Sequence, residues 1–398
     1  MPDHDHAATD GPPPGRSAGD EGSGPILPPA TLGIIGGSPH DASLVAAAQQ
    51  MGYRTVLLSP DHGSHAARLA DVHIVATTDN ETALDELART SAAITSAAVG
   101  VDEGALTRMA HHTPMRPSPA VLHMCADRIT EKRFLDDIGV AVAEWRAIES
   151  ADDLAPARGF AYPAILSPAR RRHLEPAPVR VQFFDDLDGA WQSMGGEACL
   201  LERRVMLSRE LSMVVVRATD GRTATYPVAQ QTHTGTNIDI VHVPAVLPEG
   251  GHEQAAELCT YIADELELVG ILCVGLVVAG RDVLVSELAP HPHDAGQYTL
   301  DACTTSQFEQ QIRVVCGLGP ADTTLQVKGV ATATLTDELW ATGEPDWSVV
   351  LAEPAAHLHL SSHSASSAHG VRGHLAVTTA SALGAASLAK RLRSRAKR

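Results

Sequence analysis

The chain has no pair of cysteines in Cys-x-x-Cys spacing. Its six cysteines, Cys125, Cys199, Cys259, Cys273, Cys303 and Cys316, are scattered. That excludes a zinc module built on paired cysteines and a small disulfide framework. No apolar run is long enough to span a bilayer, and no apolar core follows the first residues. Neither a membrane span nor a secretory signal is expected, and a reducing, cytoplasmic setting is the default. Positive charge is scarce: 30 Lys and Arg stand against 48 Asp and Glu, for a formal net charge of -18. This balance argues against non-specific nucleic-acid binding, which needs a basic surface. What is present is 398 residues, 44% of them hydrophobic and 20% charged, enough for two or three domains with a sizeable core.

Residues 1–30, rich in Asp, His, Gly and Pro, are expected to form a disordered tail. Residues 31–115 read as a parallel, doubly wound α/β unit. A strand TLGIIGG is followed by a helix over Ser43–Met51 closed by Gly52, with Pro39 suited to a first helical turn. Strands at Arg54–Ser59, Val72–Ala76 and Ala93–Val99 and a helix at Glu81–Thr90 complete it. The glycines of GGSPHDAS form only an incomplete nucleotide-binding fingerprint. The prolines of RPSPA mark a boundary at 116. One amphipathic helix is expected over Leu122–Ile138, with Lys132 as a solvated surface lysine. Residues 116–322 then form an α+β unit. It has strands near Ala161–Ser167, Ala198–Val205, Arg209–Val216 and Thr225–Ala229, and a helix over His252–Leu268. The segment PARRRHLEPAPVRV has three consecutive arginines and no glycine. It reads as an exposed hairpin with a solvated charge run. Residues 323–380 form a small β-rich domain with a Ser- and His-rich stretch at 357–369, and 381–398 a basic helical tail.

The most informative stretch is Leu284–Gln310. The apolar strand Gly270–Val278 turns at Arg281-Asp282 into VLVSEL, a buried antiparallel pair that contains one carboxylate, Glu287. A carboxylate at a strand end before a polar loop is one way to hold a hard cation against phosphates.

The wording ELAPHPHDAG…TLDACTTSQFEQ resembles the N5-carboxyaminoimidazole ribonucleotide synthase family of the ATP-grasp superfamily, which typically reads NELAPRPHNSGHWT and EACxTSQFEQ. LGIIGG, GYRTVLLSP, RPSP, DRxxEKxFL, RELS with YPV, and GHL support it, so the likeness covers residues 31 to 378. It implies an ATP-grasp fold with an N-terminal doubly wound domain and a small C-terminal β-rich domain. It also implies ATP and Mg2+ as cofactors, bicarbonate and aminoimidazole ribonucleotide as substrates, and a homodimer. By the same resemblance Lys132, Glu202 and Glu210 match ATP-binding positions, Glu287 the metal position, and His293, Arg372 and His374 substrate-binding positions.

Several positions depart from the family's pattern. Ser167 stands where the family has a second ATP lysine, and Gly275 where it has the partner metal carboxylate. Residues 169–178, ARRRHLEPAP, replace the glycine-rich loop RRGGYDGKGQ, and Arg203, Ser286, His291 and Asp294 differ from their counterparts. Loss of one preorganised electrostatic contact costs on the order of 10²–10³ in turnover. Two replacements suggest themselves: Asp294 as a carboxylate and Arg170 to Arg172 as a cation. Three readings follow. The chain is a working synthase with altered contacts, a catalytically inactive relative that binds nucleotide or regulates, or an ATP-grasp enzyme with another acceptor.

Overall fold

In the computed structural model, residues 24–96, 101–172, 176–205, 209–280, 282–361 and 370–397 are described. Most of the expected tail, the end of the strand at Ala93–Val99, His173 and Leu174, and most of 357–369 lie outside them. Among the described residues three sheets carry the fold, and they follow one another along the chain.

The first sheet is parallel, ordered β3-β2-β1-β4. It contains β1 (Thr31–Ile35), α1 (Pro39–Gln50), β2 (Arg54–Ser59), α2 (His65–Leu69), β3 (Val72–Val75), α3 (Glu81–Thr90), β4 (Ala93–Ser96) and α4 (Glu103–Ala110). β1, β2 and β4 are mostly buried, as strands of a parallel sheet covered on both faces are, while β3 at one edge is partly exposed. Pro39 does open α1, behind a capping box of Ser38 and Asp41, and Gly52 takes φ +86° after the helix. The expected tail ends earlier than residue 30. Ile26 donates its backbone N–H to the Cys316 carbonyl at 2.8 Å and packs against this domain's core.

The single helix expected over Leu122–Ile138 is two, α5 (Pro119–Ala126) and α6 (Arg128–Asp137). Asp127 breaks it. Its backbone is extended, and its carboxylate accepts the N–H groups of Ile129 and Thr130, both at 3.0 Å. An Asp that caps a new N-terminus outweighs the continuous apolar stripe.

The second sheet, ordered β5-β8-β6-β7, is antiparallel. It holds β5 (Trp145–Ile148), β6 (Ala164–Pro168), β7 (Val179–Val181), α7 (Leu187–Ser193) and β8 (Cys199–Arg203). In the third sheet the described strands run β14-β13-β9-β11-β12-β15-β17-β16, with β10 on β9. They are β9 (Arg209–Arg217), β10 (Thr223–Thr225), β11 (Ala229–Thr234), β12 (Asn237–Val243), β13 (Gly270–Ala279), β14 (Asp282–Ala289), β15 (Gly329–Thr336), β16 (Ala356–Leu360) and β17 (Val371–Thr379). The strand expected over Thr225–Ala229 is a break between β10 and β11, where Tyr226 is buried and donates its hydroxyl to the Thr305 carbonyl. The helices are α8 (Gly251–Glu265), α9 (Thr299–Ala302), α10 (Gln307–Val315), α11 (Trp347–Leu351) and α12 (Ala382–Ala396). The C-terminal strands share a sheet with the middle of the chain through the β12–β15 pairing. The basic end of α12 is held by acidic partners on other elements: Arg393 meets Asp239 at 2.6 Å and Lys397 meets Glu338 at 3.0 Å.

Helix α10, the SQFEQ segment, covers the first sheet: Phe308, Ile312 and Val315 pack with Leu32, Ile34 and Leu44. Its three glutamines are fully buried. Gln307 exchanges two bonds with the His293 backbone, Gln310 two with that of Ala321, and Gln311 joins Ile271 N–H to the Thr95 hydroxyl. Each buried amide finds partners, which is what makes its burial tolerable. The motif that carries the resemblance is therefore the clamp between the first and third sheets.

Candidate functional site

The β13–β14 hairpin fixes the site. Val274 pairs with Leu288 and Leu276 with Val285, so Ser286 and Glu287 stand opposite Gly275 alone. This is a β-bulge, a device that re-aims side chains beside sites. A Cβ on residue 275 would lie 2.5 Å from Ser286 Oγ and 3.1 Å from Glu287 Cγ. Glycine here both removes a side chain and gives Ser286 its room.

A pocket of about 230 Å³ opens over this bulge, lined by Lys132, Ser167, Arg171, Glu202, Glu210 and Glu287 among others. Lys132 is not the solvated surface lysine that composition suggested: it is 1% exposed. Helix α6 points it between sheets, and its Nζ donates to Glu202 Oε1 and Ser286 O, both at 2.8 Å, and to Val285 O at 3.5 Å. All three ammonium donors have acceptors.

Arg171 overturns the reading of its segment as a solvated charge run. Its guanidinium forks onto Glu131 at 3.0 and 3.4 Å, donates to the Cys125 carbonyl at 2.5 Å, and stands 3.9 Å from Glu287 Oε2. Burial works against its charge, but Glu131 and Glu287 outweigh it and hold Arg171 protonated. Burial alone would raise the Glu287 carboxyl. Arg171, His293, Arg128 and His233 bring it below the ordinary range. His233 Nδ1 meets Glu210 at 2.5 Å, and this hydrogen bond raises the imidazole above its usual pKa. Arg172 pairs at the surface with Glu197 instead.

The other expected residues lie apart. His293 lines an adjoining pocket of about 750 Å³ that shares Arg171 and Glu287 with the first. Its Nδ1 accepts the Ala295 N–H at 3.2 Å. Asp294 does not replace a carboxylate beside Glu287. It bonds His40 of α1 at 3.1 Å, and although burial raises its carboxyl, His40 and His293 pull it far below the usual range. Arg372 is engaged by Asp337 and lies over the Trp340 ring at 4.8 Å. His374 stacks on His359, and burial pushes its imidazole down to about 3. Arg372 and His374 line neither pocket. Residues 133–308 match the ATP-grasp domain, and residues 29–126 match the ribonucleotide synthetase preATP-grasp domain. The N5-carboxyaminoimidazole ribonucleotide synthase of Bacillus subtilis is 34% identical over 316 residues, covering 79% of this chain and 83% of that protein.

The chain belongs to the N5-carboxyaminoimidazole ribonucleotide synthase family.

A crystal structure of an N5-carboxyaminoimidazole ribonucleotide synthetase in complex with ADP superposes with a TM-score of 0.86 at 31% identity, covering 92% of this chain and 97% of that one. The bifunctional purine synthesis protein purC/E of Dictyostelium discoideum is 32% identical over 360 residues, 84% of this chain but only 36% of that longer protein.

Four polar residues of the cleft were given no role from the sequence: Arg128, Glu131, Gln231 and His233. The first two carried a signal. Arg128, Glu131 and Lys132 are three and four apart on one helix, hence on one face. The last two did not, because strand pairing brings them in. Ser167 lines the pocket, and Gly275 stands opposite Ser286 and Glu287.

Proposed function

We propose that the cleft binds the phosphates of ATP and that the protein carries out the family's reaction, the ATP-dependent carboxylation of aminoimidazole ribonucleotide with bicarbonate. One observation carries the reading: Lys132 is buried and held by Glu202 and the Ser286 carbonyl at the mouth of the β13–β14 bulge. The position and the chemistry suit a phosphate-binding ammonium. In this reading Lys132, with Arg128 and Arg171, faces the phosphoryl oxygens. Glu202 and Glu210 orient the nucleotide side of the pocket, and His293 belongs to the substrate side. The terminal phosphoryl group passes to a bicarbonate oxygen and ADP leaves. The exocyclic amine then takes the carboxyl carbon, releasing phosphate and a proton.

The donor set fits one magnesium ion, held through Glu287 and the nucleotide phosphates, and does not fit a second held between two carboxylates, since Gly275 offers none. A magnesium ion there would neutralise the charge on the transferring phosphoryl group. The reading includes a homodimer and a cytoplasmic setting.

A second reading, nucleotide binding without turnover, is favoured by the Arg171 guanidinium 3.9 Å from Glu287. A fixed cation already stands beside the carboxylate that would receive the metal. The test is ADP release with Mg-ATP, bicarbonate and aminoimidazole ribonucleotide. Release that depends on aminoimidazole ribonucleotide and exceeds that of Glu287→Ala supports the first reading. ATP binding without such release supports the second, and no ATP binding by calorimetry overturns both.

A further inference from the structure

Away from the nucleotide cleft, three elements bring two imidazoles and a carboxylate together. His359 on β16 and His374 on β17 are directly paired across the antiparallel ladder. Directly opposite residues lie on the same face of a sheet with their Cβ atoms close. Their rings stack at 4.5 Å with 16° between planes. Asp301 on α9 reaches them from the preceding unit: its Oδ2 lies 2.8 Å from His359 Nε2, and its Oδ1 3.7 Å from His357 Nδ1. The ligand atoms of Asp301, His359 and His374 all lie within 4.8 Å of one another. His374 Nε2 is buried and has no hydrogen-bond partner among the described residues. A buried imidazole nitrogen without a partner is uncommon and asks for a ligand.

We propose that Asp301, His359 and His374 form a binding site for a divalent d-block cation of the zinc class. Two imidazoles and one carboxylate suit such a metal, and magnesium prefers an all-oxygen shell. His357, two residues from His359 and already beside the other Asp301 oxygen, is placed to approach as a fourth donor. Tetrahedral ligands at zinc bond lengths sit about 3.3 Å apart, so the site contracts on loading. A metal lies in the plane of each imidazole it binds, so one ring turns out of the stack. Asp301 then serves as a metal ligand where it now serves as the acceptor for His359. The cation would tie α9, next to the SQFEQ clamp, to the C-terminal hairpin. The site is independent of ATP chemistry and does not rest on the reading of the cleft.

The test is titration of the full chain with Co2+ as a spectroscopic probe and with Zn2+ by calorimetry. Both use the wild type, His359→Gln, Asp301→Asn and the double variant His4→Ala/His6→Ala. The last removes the competing histidines near the N-terminus. The expected result is one equivalent bound, with a visible Co2+ spectrum of four-coordinate intensity. Binding should weaken at least tenfold in His359→Gln and Asp301→Asn and stay unchanged in the N-terminal variant. Thermal melts of the metal-free variants establish that they fold; if one does not, the other decides. No binding by wild type at about 100-fold molar excess overturns the proposal. So does binding that survives both site variants, or that disappears in the N-terminal one.

Discussion

Replacing Arg171 with Met is the sharpest perturbation of the cleft. Met keeps an unbranched, flexible apolar stem and removes the charged fork. Glu131 is 1% exposed and would lose both guanidinium contacts, keeping the Leu288 N–H at 3.2 Å. Removing one partner of a buried pair costs about 3–5 kcal/mol, because the other charge is left behind. Arg171 retains 17% exposure, so water entering the cleft places the loss near the lower end, about 3 kcal/mol. The assay is urea denaturation at neutral and mildly acidic pH. In the variant Glu131 is a buried carboxyl whose folded pKa lies above its unfolded value, so the native state binds the extra proton and stability falls as pH rises between the two. The loss should therefore be largest at neutral pH and shrink as Glu131 protonates. Arg171→Lys should fall between, since a point ammonium cannot fork across both oxygens. Adding Glu131→Gln to the Met variant should recover part of the loss. Unchanged midpoints, or a deficit that grows toward acid, would refute the reasoning.

Four further outcomes are expected. Lys132→Met should weaken ATP binding about 10- to 100-fold by calorimetry, the worth of one charge-assisted contact; undiminished binding rejects the nucleotide reading of the cleft. Gly275→Ala should cost about 1 kcal/mol or more in thermal melts by crowding Ser286, and Ser286→Gly should relieve it; additive effects would reject the crowding. Gly296→Ala should lower the melting temperature by several degrees, because a Cβ there runs into the Gln307 amide. For the His40–Asp294 contact, burial lowers the His40 pKa but Asp294 raises it further, to a net value above the ordinary one. Its stabilisation is thus complete below the unfolded histidine pKa and is lost as pH rises through the folded one. A melt series from about pH 6 to about 8 should show a decline that His40→Asn abolishes.

Much of the molecule was legible in one dimension. The strand–helix alternation of residues 31–96 and the β13–β14 hairpin follow from period and turn chemistry. Helix α6 was harder, because capping by Asp127 is a local event hidden in a continuous apolar pattern. Lys132 looked solvated because composition cannot report what a helix faces. Arg171 looked like one of three surface arginines. Only when β6 carries its segment over α6 does one of the three meet Glu131 and Glu287, while Arg172 goes to Glu197.

The sequence alone indicated the family and much of the order of the strands and helices, because these reside in residue identity and local spacing. The tertiary structure decided what individual side chains meet. Gly275 is the floor of a bulge and Arg171 a fixed cation beside Glu287. Asp294 is bound to His40, and the glutamines after Ser306 clamp two sheets. Each depends on a partner at long separation along the chain, and burial and hydrogen bonding to such partners arise only once the strands are paired and the helices packed.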